Sequence, residues 1–266
     1  MRKWWLIGLP IVSLSLIIGV AARGIQNPQQ LPPPPVNPPQ LQPPAVQNVP
    51  APPPRPRLAV VVIDPAHGGT DPGARGSTGI NESDVTLLYS QMMRPALEAQ
   101  GVRVIVTREN NADPSFDDRS AIVNGQRGAI FVTLHVASTG ALGQVRVYSE
   151  PVPDDVDVTK IAGGGFPAHN GMLNWDSAQQ FYAAASRRLA EMVQASLAQK
   201  FTGSPPAPFS APIRQLRTVG APAIAIEVST VSTPERTRLI ELGHNLADSV
   251  VRGVAEYRAY YEANVR

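Results

Sequence analysis

The sequence predicts an α/β fold: a single domain with a mixed, mostly parallel twisted sheet and helices on both faces, preceded by an N-terminal membrane segment and a Pro-rich tether. Three observations carry this. Apolar runs without alternation recur at 58–63, 129–134 and 223–226, as suits strands covered on both faces. Helical patterns separate the strand patterns, and that alternation, with right-handed crossovers, builds a largely parallel sheet. The runs lead into His67, His135 and Glu227 respectively. Open α/β sheets bind ligands in the crevice outside their strands' carboxyl ends, so these three residues are read as one site.

The chain divides into residues 1–23, 24–57 and 58–266. Arg2 and Lys3 precede an apolar stretch over 4–22, near the ~20 residues that span a bilayer's hydrocarbon. It fits a signal peptide or an uncleaved N-terminal membrane anchor. Val20-Ala21-Ala22 would serve cleavage, while Trp4 and Trp5 beside the charges suit interfacial anchoring, which tips the reading toward an anchor. Residues 24–57 are rich in Pro, Gln, Asn and Val. Such a linker is stiff and, in polyproline II, reaches on the order of 100 Å; a ligand for proline-reading domains is the competing use.

The chain has no cysteine, which excludes a disulfide scaffold and a Cys-ligated metal. Any metal must take N and O ligands. Five of its 23 basic side chains lie in the acid-free first 57 residues, leaving 18 against 21 acidic ones. The folded part therefore has no basic footprint, and no nucleic acid is expected as partner.

In order, the strand from Leu58 stops at Asp64-Pro65 and enters a glycine-rich loop, 68–79. Asn81 reads as an N-cap with Asp84 three residues on, a capping-box variant. The helix it opens runs to Gln100-Gly101, and 102–107 is the next strand. Residues 116–126 form a shorter helix carrying Arg119 and Asn124, and Gly128 returns the chain to the strand of His135. Residues 143–148 alternate, suggesting an edge strand where the sheet turns mixed. The irregular stretch 150–175 is read as a rim or lid, with His169 on the surface. Asp176 or Ser177 opens an amphipathic helix, 213–216 is extended, and Pro234 starts a last helix reaching about Asn264, with His244 inside it as a structural residue.

Catalytic zinc takes three protein ligands from His and Asp/Glu and keeps a position for water. His67, Glu82 and His135 supply that set, with Glu227 as a carboxylate beside the water. A zinc-activated water and a carboxylate that takes a proton and returns it to a leaving nitrogen amount to amide hydrolysis. Three of the four also have a plainer use: His67 as a hydrogen-bonded loop histidine, Glu82 as a carboxylate favoured in a helix's first turn, Glu227 as a buried or capping carboxylate.

The motifs Val62-Ile63-Asp64-Pro65-Ala66-His67-Gly68-Gly69 with Asp71-Pro72-Gly73-Ala74, then Asn81-Glu82-Ser83-Asp84-Val85, Arg108, Arg119, Leu134-His135 and Pro222-Ala223-Ile224-Ala225-Ile226-Glu227 resemble a family. It is that of the zinc-dependent N-acetylmuramoyl-L-alanine amidases, amidase type 3, and the resemblance covers about 58–260. It implies Zn2+ held by His67, Glu82 and His135, Glu227 as catalytic acid/base, and Arg119 and Asn124 as residues that support the site or the structure around it. The implied reaction is hydrolysis of the bond between N-acetylmuramic acid and L-alanine in bacterial peptidoglycan. The implied setting is the cell envelope, on the periplasmic or extracellular face, with tethering to the inner membrane by residues 4–22 and room for a protein activator. Two positions depart from the family pattern: Ala66, where Gly is usual, and Ala137, where a polar residue is usual. They favour the alternatives of a peptidoglycan-binding or partner-binding protein without turnover; a zinc peptidase cutting the stem peptide is a further one.

Overall fold

The computed structural model describes residues 57–151, 175–232 and 236–264. The expected anchor, all of the tether but Arg57, the interior of the expected lid with His169, and Pro234 lie outside the described residues.

Six strands, β1 (Val60–Pro65), β2 (Arg103–Val106), β3 (Ala129–Ala137), β4 (Val145–Ser149), β5 (Phe209–Ser210) and β6 (Ala223–Ser229), form one sheet in the order β2-β1-β3-β6-β4-β5. β2, β1, β3 and β6 run parallel, and the sheet turns mixed at β4, antiparallel to β6. β4 is not the edge that its alternation suggests. Tyr148 and Ser149 pair with Phe209 and Ser210 of β5, a two-residue strand masked in the sequence by its proline-rich surroundings.

Period-two alternation sorts the strand residues between two cores. Val61, Ile63, Val132 and Ile224 pack with α1 (Glu82–Glu98), α3 (Ala183–Lys200) and α5 (Arg236–Asn264). Val62, Phe131, Ala223 and Ala225 pack with Val123 of α2 (Phe116–Asn124) and Leu216 of α4 (Arg214–Arg217). Helices do cover both faces, but unequally: 17, 18 and 29 residues on one, nine and four on the other.

Four local expectations are corrected. Asn81 precedes α1 in extended conformation without a side-chain cap, reaching Asp84 only at 3.5 Å. The preceding loop caps the helix instead, since Glu82 and Ser83 N–H donate to the carbonyls of Ala74 and Pro72. The capping box belongs to α2, where Ser115 and Asp118 exchange side-chain and backbone bonds. Trp175–Tyr182 is a 3-10 helix, and α3 starts only at Ala183; buried Gln179 ties that turn to the carbonyls of Val219 and Ala221. Residues 213–216 are not extended. Ile213 N–H donates to Glu150 Oε1 at 2.6 Å and α4 follows, burying Leu216. The acceptor comes from the end of β4, remote in sequence. His244 is exposed on α5, so it has no structural part in the core.

A buried polar network fixes the end of β1. Asp64, fully buried, accepts from Arg119 Nη1 at 2.6 Å, Thr107 Oγ1 at 2.6 Å and Thr133 Oγ1 at 2.8 Å. Arg119 also donates to the carbonyls of Pro65 and His67, and Arg108 to those of Pro65, Ala66 and Ser83. Two guanidinium forks thus hold three consecutive carbonyls, a use for which Lys lacks the geometry. Removing one partner of a buried pair leaves an uncompensated charge. Asp64→Ala is therefore expected to destabilise the domain by about 3–5 kcal/mol in chemical denaturation; a loss below about 1 kcal/mol would contradict this account.

Candidate metal centre and active site

His67 follows directly on the clamped carbonyls, with φ 64. A non-glycine residue in the left-handed region costs roughly 1–2 kcal/mol. Its neighbours hold it there: Arg119 on the His67 carbonyl, the Gly68–Asp71 bridge, and Gly69 N–H on the Asn111 carbonyl. The unusual dihedral falls on His67 and not on Ala66, which is buried with Thr86 Oγ1 and Arg108 on its carbonyl.

Glu82, in the first turn of α1, reaches between the two histidines. Its Oε2 lies 3.2 Å from His67 Nε2, and its Oε1 lies 3.0 Å from His135 Nδ1. Backbone N–H groups of Ala74 and Val136 complete the carboxylate's shell at 2.8 and 2.9 Å. The plainer reading of Glu82 is met in part, since it lies in the first turn of α1, yet it is also buried between two imidazoles. One donor atom from each of His67, Glu82 and His135 falls within 4.8 Å of the others. The group could hold a metal ion.

The fit rests on donor chemistry and on space. Two imidazole nitrogens and a carboxylate oxygen suit a borderline divalent cation such as zinc. Gly73 leaves the room: at φ 65, a Cβ there would lie 2.6 Å from both Glu82 Oε2 and His67 Cδ2. The outer ring nitrogens also have partners, as metal-binding histidines require. His67 Nδ1 meets Asp71 Oδ2 at 2.7 Å, and His135 Nε2 meets Gln215 Nε2 at 3.3 Å.

Glu227 is the register partner of His135 across β3 and β6, so both side chains leave the same face of the sheet. That is the thinly covered face, since Phe131 and Ala225 precede them by even steps and pack under α2 and α4. His135 and Glu227 are accordingly half-buried. They lie inside β3 and β6, two residues before the ends at Ala137 and Ser229. Glu227 Oε1 accepts from Arg146 Nη1 at 3.2 Å and from Tyr148 O–H at 3.4 Å. Beside the histidines, a cavity of about 350 Å3 is lined by His67, Asp71, Asp113, Phe116 and Gln215 among others.

Arg119 acts on the site through the backbone of His67. Asn124 is one step further out, bonding the Thr218 carbonyl and the Gly220 N–H ahead of β6.

A family model described as N-acetylmuramoyl-L-alanine amidase, Amidase_3, matches residues 61–256. The chain belongs to this amidase family. Among its relatives, N-acetylmuramoyl-L-alanine amidase AmiC of Neisseria meningitidis serogroup B is 27% identical over 225 residues, 76% of this chain and 53% of that protein. The chain thus spans about half that relative's length. The fold is shared with the N-acetylmuramoyl-L-alanine amidase of Clostridium difficile 630, at TM-score 0.58 and 22% identity, covering 75% of this chain and 96% of the other. It is also shared with the CwlD amidase of Clostridioides difficile, solved in complex with the GerS lipoprotein, at TM-score 0.56 and 19% identity, covering 76% and 98%.

Several residues of this amidase-family site escape a reading of strand ends alone: Asp71, Arg146, Tyr148 and Gln215. Alternation along 143–148 was the available signal for Arg146 and Tyr148, because it puts both on one face. Gln215 had none, sitting on a helix expected to be extended.

The electrostatics give the site a pH signature. The hydrogen bond to Glu82 raises the pKa of His67, burial opposes it, and Asp71 adds to the rise, for a value of about 9. Burial pushes the Glu82 carboxyl up, but bonds from His135, His67 and the Ala74 N–H outweigh it and hold the carboxyl well below the usual carboxylate range. A raised folded-state pKa contributes stability that is full below the unfolded value near 6.5 and lost as pH rises through the folded one. The stability difference between metal-free wild type and His67→Gln should therefore shrink as pH rises from 6.5 through about 9. Urea titrations across that range check it; a difference that grows with pH would contradict the assignment.

Proposed function

We propose that this chain hydrolyses the amide between N-acetylmuramic acid and L-alanine in peptidoglycan, with His67, Glu82 and His135 holding Zn2+ and Glu227 as the catalytic acid/base. The observation that carries the proposal is the cluster of two imidazoles and a carboxylate beside a carboxylate on the neighbouring strand, in a chain of this family. Bound zinc supplies Lewis acidity that activates a water and polarises a carbonyl.

The chain's own residues supply the rest. Arg146 and Tyr148 both engage Glu227 Oε1, which directs proton transfer to Oε2. Glu227 begins the cycle as base, takes a proton through Oε2, and returns it to the leaving alanine nitrogen. Asp71 holds the His67 ring through Nδ1, and the clamp on residues 65–67 keeps that ring in place. The site opens on the face with short helices, where a polymer can approach.

The domain plan follows from the same reading: an anchor or signal over 1–23, a linker over 24–57, and the catalytic domain over 58–266, at the cell envelope. No helix among the described residues is long and apolar enough to cross a membrane; the anchoring segment proposed here is 4–22. A protein partner is part of the proposal, in keeping with the complex solved for the CwlD amidase.

The test uses the purified full chain on purified peptidoglycan, following newly exposed L-alanine amines. Release is expected to stop with a chelator, return with zinc, and fall by about 100-fold or more in Glu227→Gln, the usual range for a lost general base. Cleavage within the stem peptide, or release unaffected by Glu227→Gln, would contradict it.

A further inference from the structure

Resting on the zinc site proposed above, we propose that Gln215 is the positioning residue for His135, its side-chain amide accepting a hydrogen bond from His135 Nε2 once Nδ1 is given to a metal. The geometry that points to it is a pair of nitrogens facing one another. Gln215 Nε2 lies 3.3 Å from His135 Nε2, while His135 Nδ1 lies 3.0 Å from Glu82 Oε1.

A neutral imidazole has one N–H and one lone pair. With no metal, the N–H belongs at Nδ1, facing the Glu82 carboxylate, and the Nε2 lone pair accepts from the Gln215 amide. Both contacts are then satisfied as they stand. Coordination through Nδ1 would need a lone pair on that nitrogen, so the single proton would move to Nε2 and put two donors face to face. The terminal torsion of Gln is broad and roughly two-fold, so turning the amide over presents its oxygen without altering the packing. Few side chains serve both states this way: a carboxylate only accepts, and a lysine only donates.

The contrast with the other histidine sharpens the assignment. Asp71 faces His67 Nδ1 and accepts in either state, which commits His67 Nε2 to point inward. Gln215 gives His135 a partner that changes with the metal. Its position is fixed by buried Leu216 next to it on α4 and by the Glu150 carboxylate accepting Ile213 N–H.

The test is zinc affinity of the full chain, measured by competition with a chromophoric chelator at fixed pH. Gln215→Leu is expected to weaken binding by about 10–100-fold, the usual effect of losing such a partner, and Gln215→Glu, which keeps an acceptor of the same shape, to bind at least as tightly as wild type. Nitrogen-15 spectra of histidine-labelled protein give a readout independent of activity: on adding zinc, His135 Nε2 should become the protonated ring nitrogen. Leu binding within twofold of wild type, Glu binding as weakly as Leu, or a proton remaining at Nδ1 in the zinc form would each overturn the proposal. Wild type that binds no zinc would overturn the metal site itself, and Gln215's part with it.

Discussion

The site depends on the buried pair of Asp64 and Arg119. Asp64 sits under the sheet's carboxyl edge, fully removed from water, with three side-chain donors on its oxygens. A charge so placed is tolerated only when paired and hydrogen-bonded. Arg119 pairs it and also reaches the carbonyls of Pro65, His67 and Pro114 and the Asp113 carboxylate, joined by Arg108 from the end of β2. The clamp makes the left-handed turn at His67 affordable, and it aims that ring at Glu82. Without it the first proposed ligand would hang on a glycine-rich loop.

The second constraint is the unequal helix coverage. Three long helices complete one core, so most of the hydrophobic burial is secured on that face. The other face needs only enough cover for a smaller cluster centred on Phe131, and α2 and α4 provide it. Beyond their reach, the same strand positions that are apolar further back become His135 and Glu227. Alternation and incomplete coverage together turn a core row into a half-exposed polar one. Arg146 and Tyr148 extend that row onto β4, where the antiparallel pairing puts Arg146 opposite Glu227.

Much of this was legible in the sequence because it depends on local pattern. Unbroken apolar runs gave the parallel strands, and the residues after them gave His67, His135 and Glu227. Glu82 was legible mainly through the family motif, since a first-turn carboxylate has an ordinary use as well. What stayed hidden depends on contacts between distant segments. The cap of α1 is a pair of loop carbonyls, the turn at Arg214 follows a bond to Glu150 far upstream, and β5 is too short and proline-flanked to read. Gln215 was missed for the same reason as α4. Ala66, which departs from the family pattern, sits within the clamp while His67 itself takes the left-handed dihedral.

The central proposal is that His67, Glu82 and His135 form one zinc site at the carboxyl edge of the sheet. Crystals of the full chain grown with zinc, with diffraction recorded on both sides of the zinc absorption edge, test it most directly. The account predicts an anomalous peak bounded by His67 Nε2, the Glu82 carboxylate and His135 Nδ1. No peak among these three residues in zinc-saturated crystals, or coordination through His135 Nε2, would contradict it.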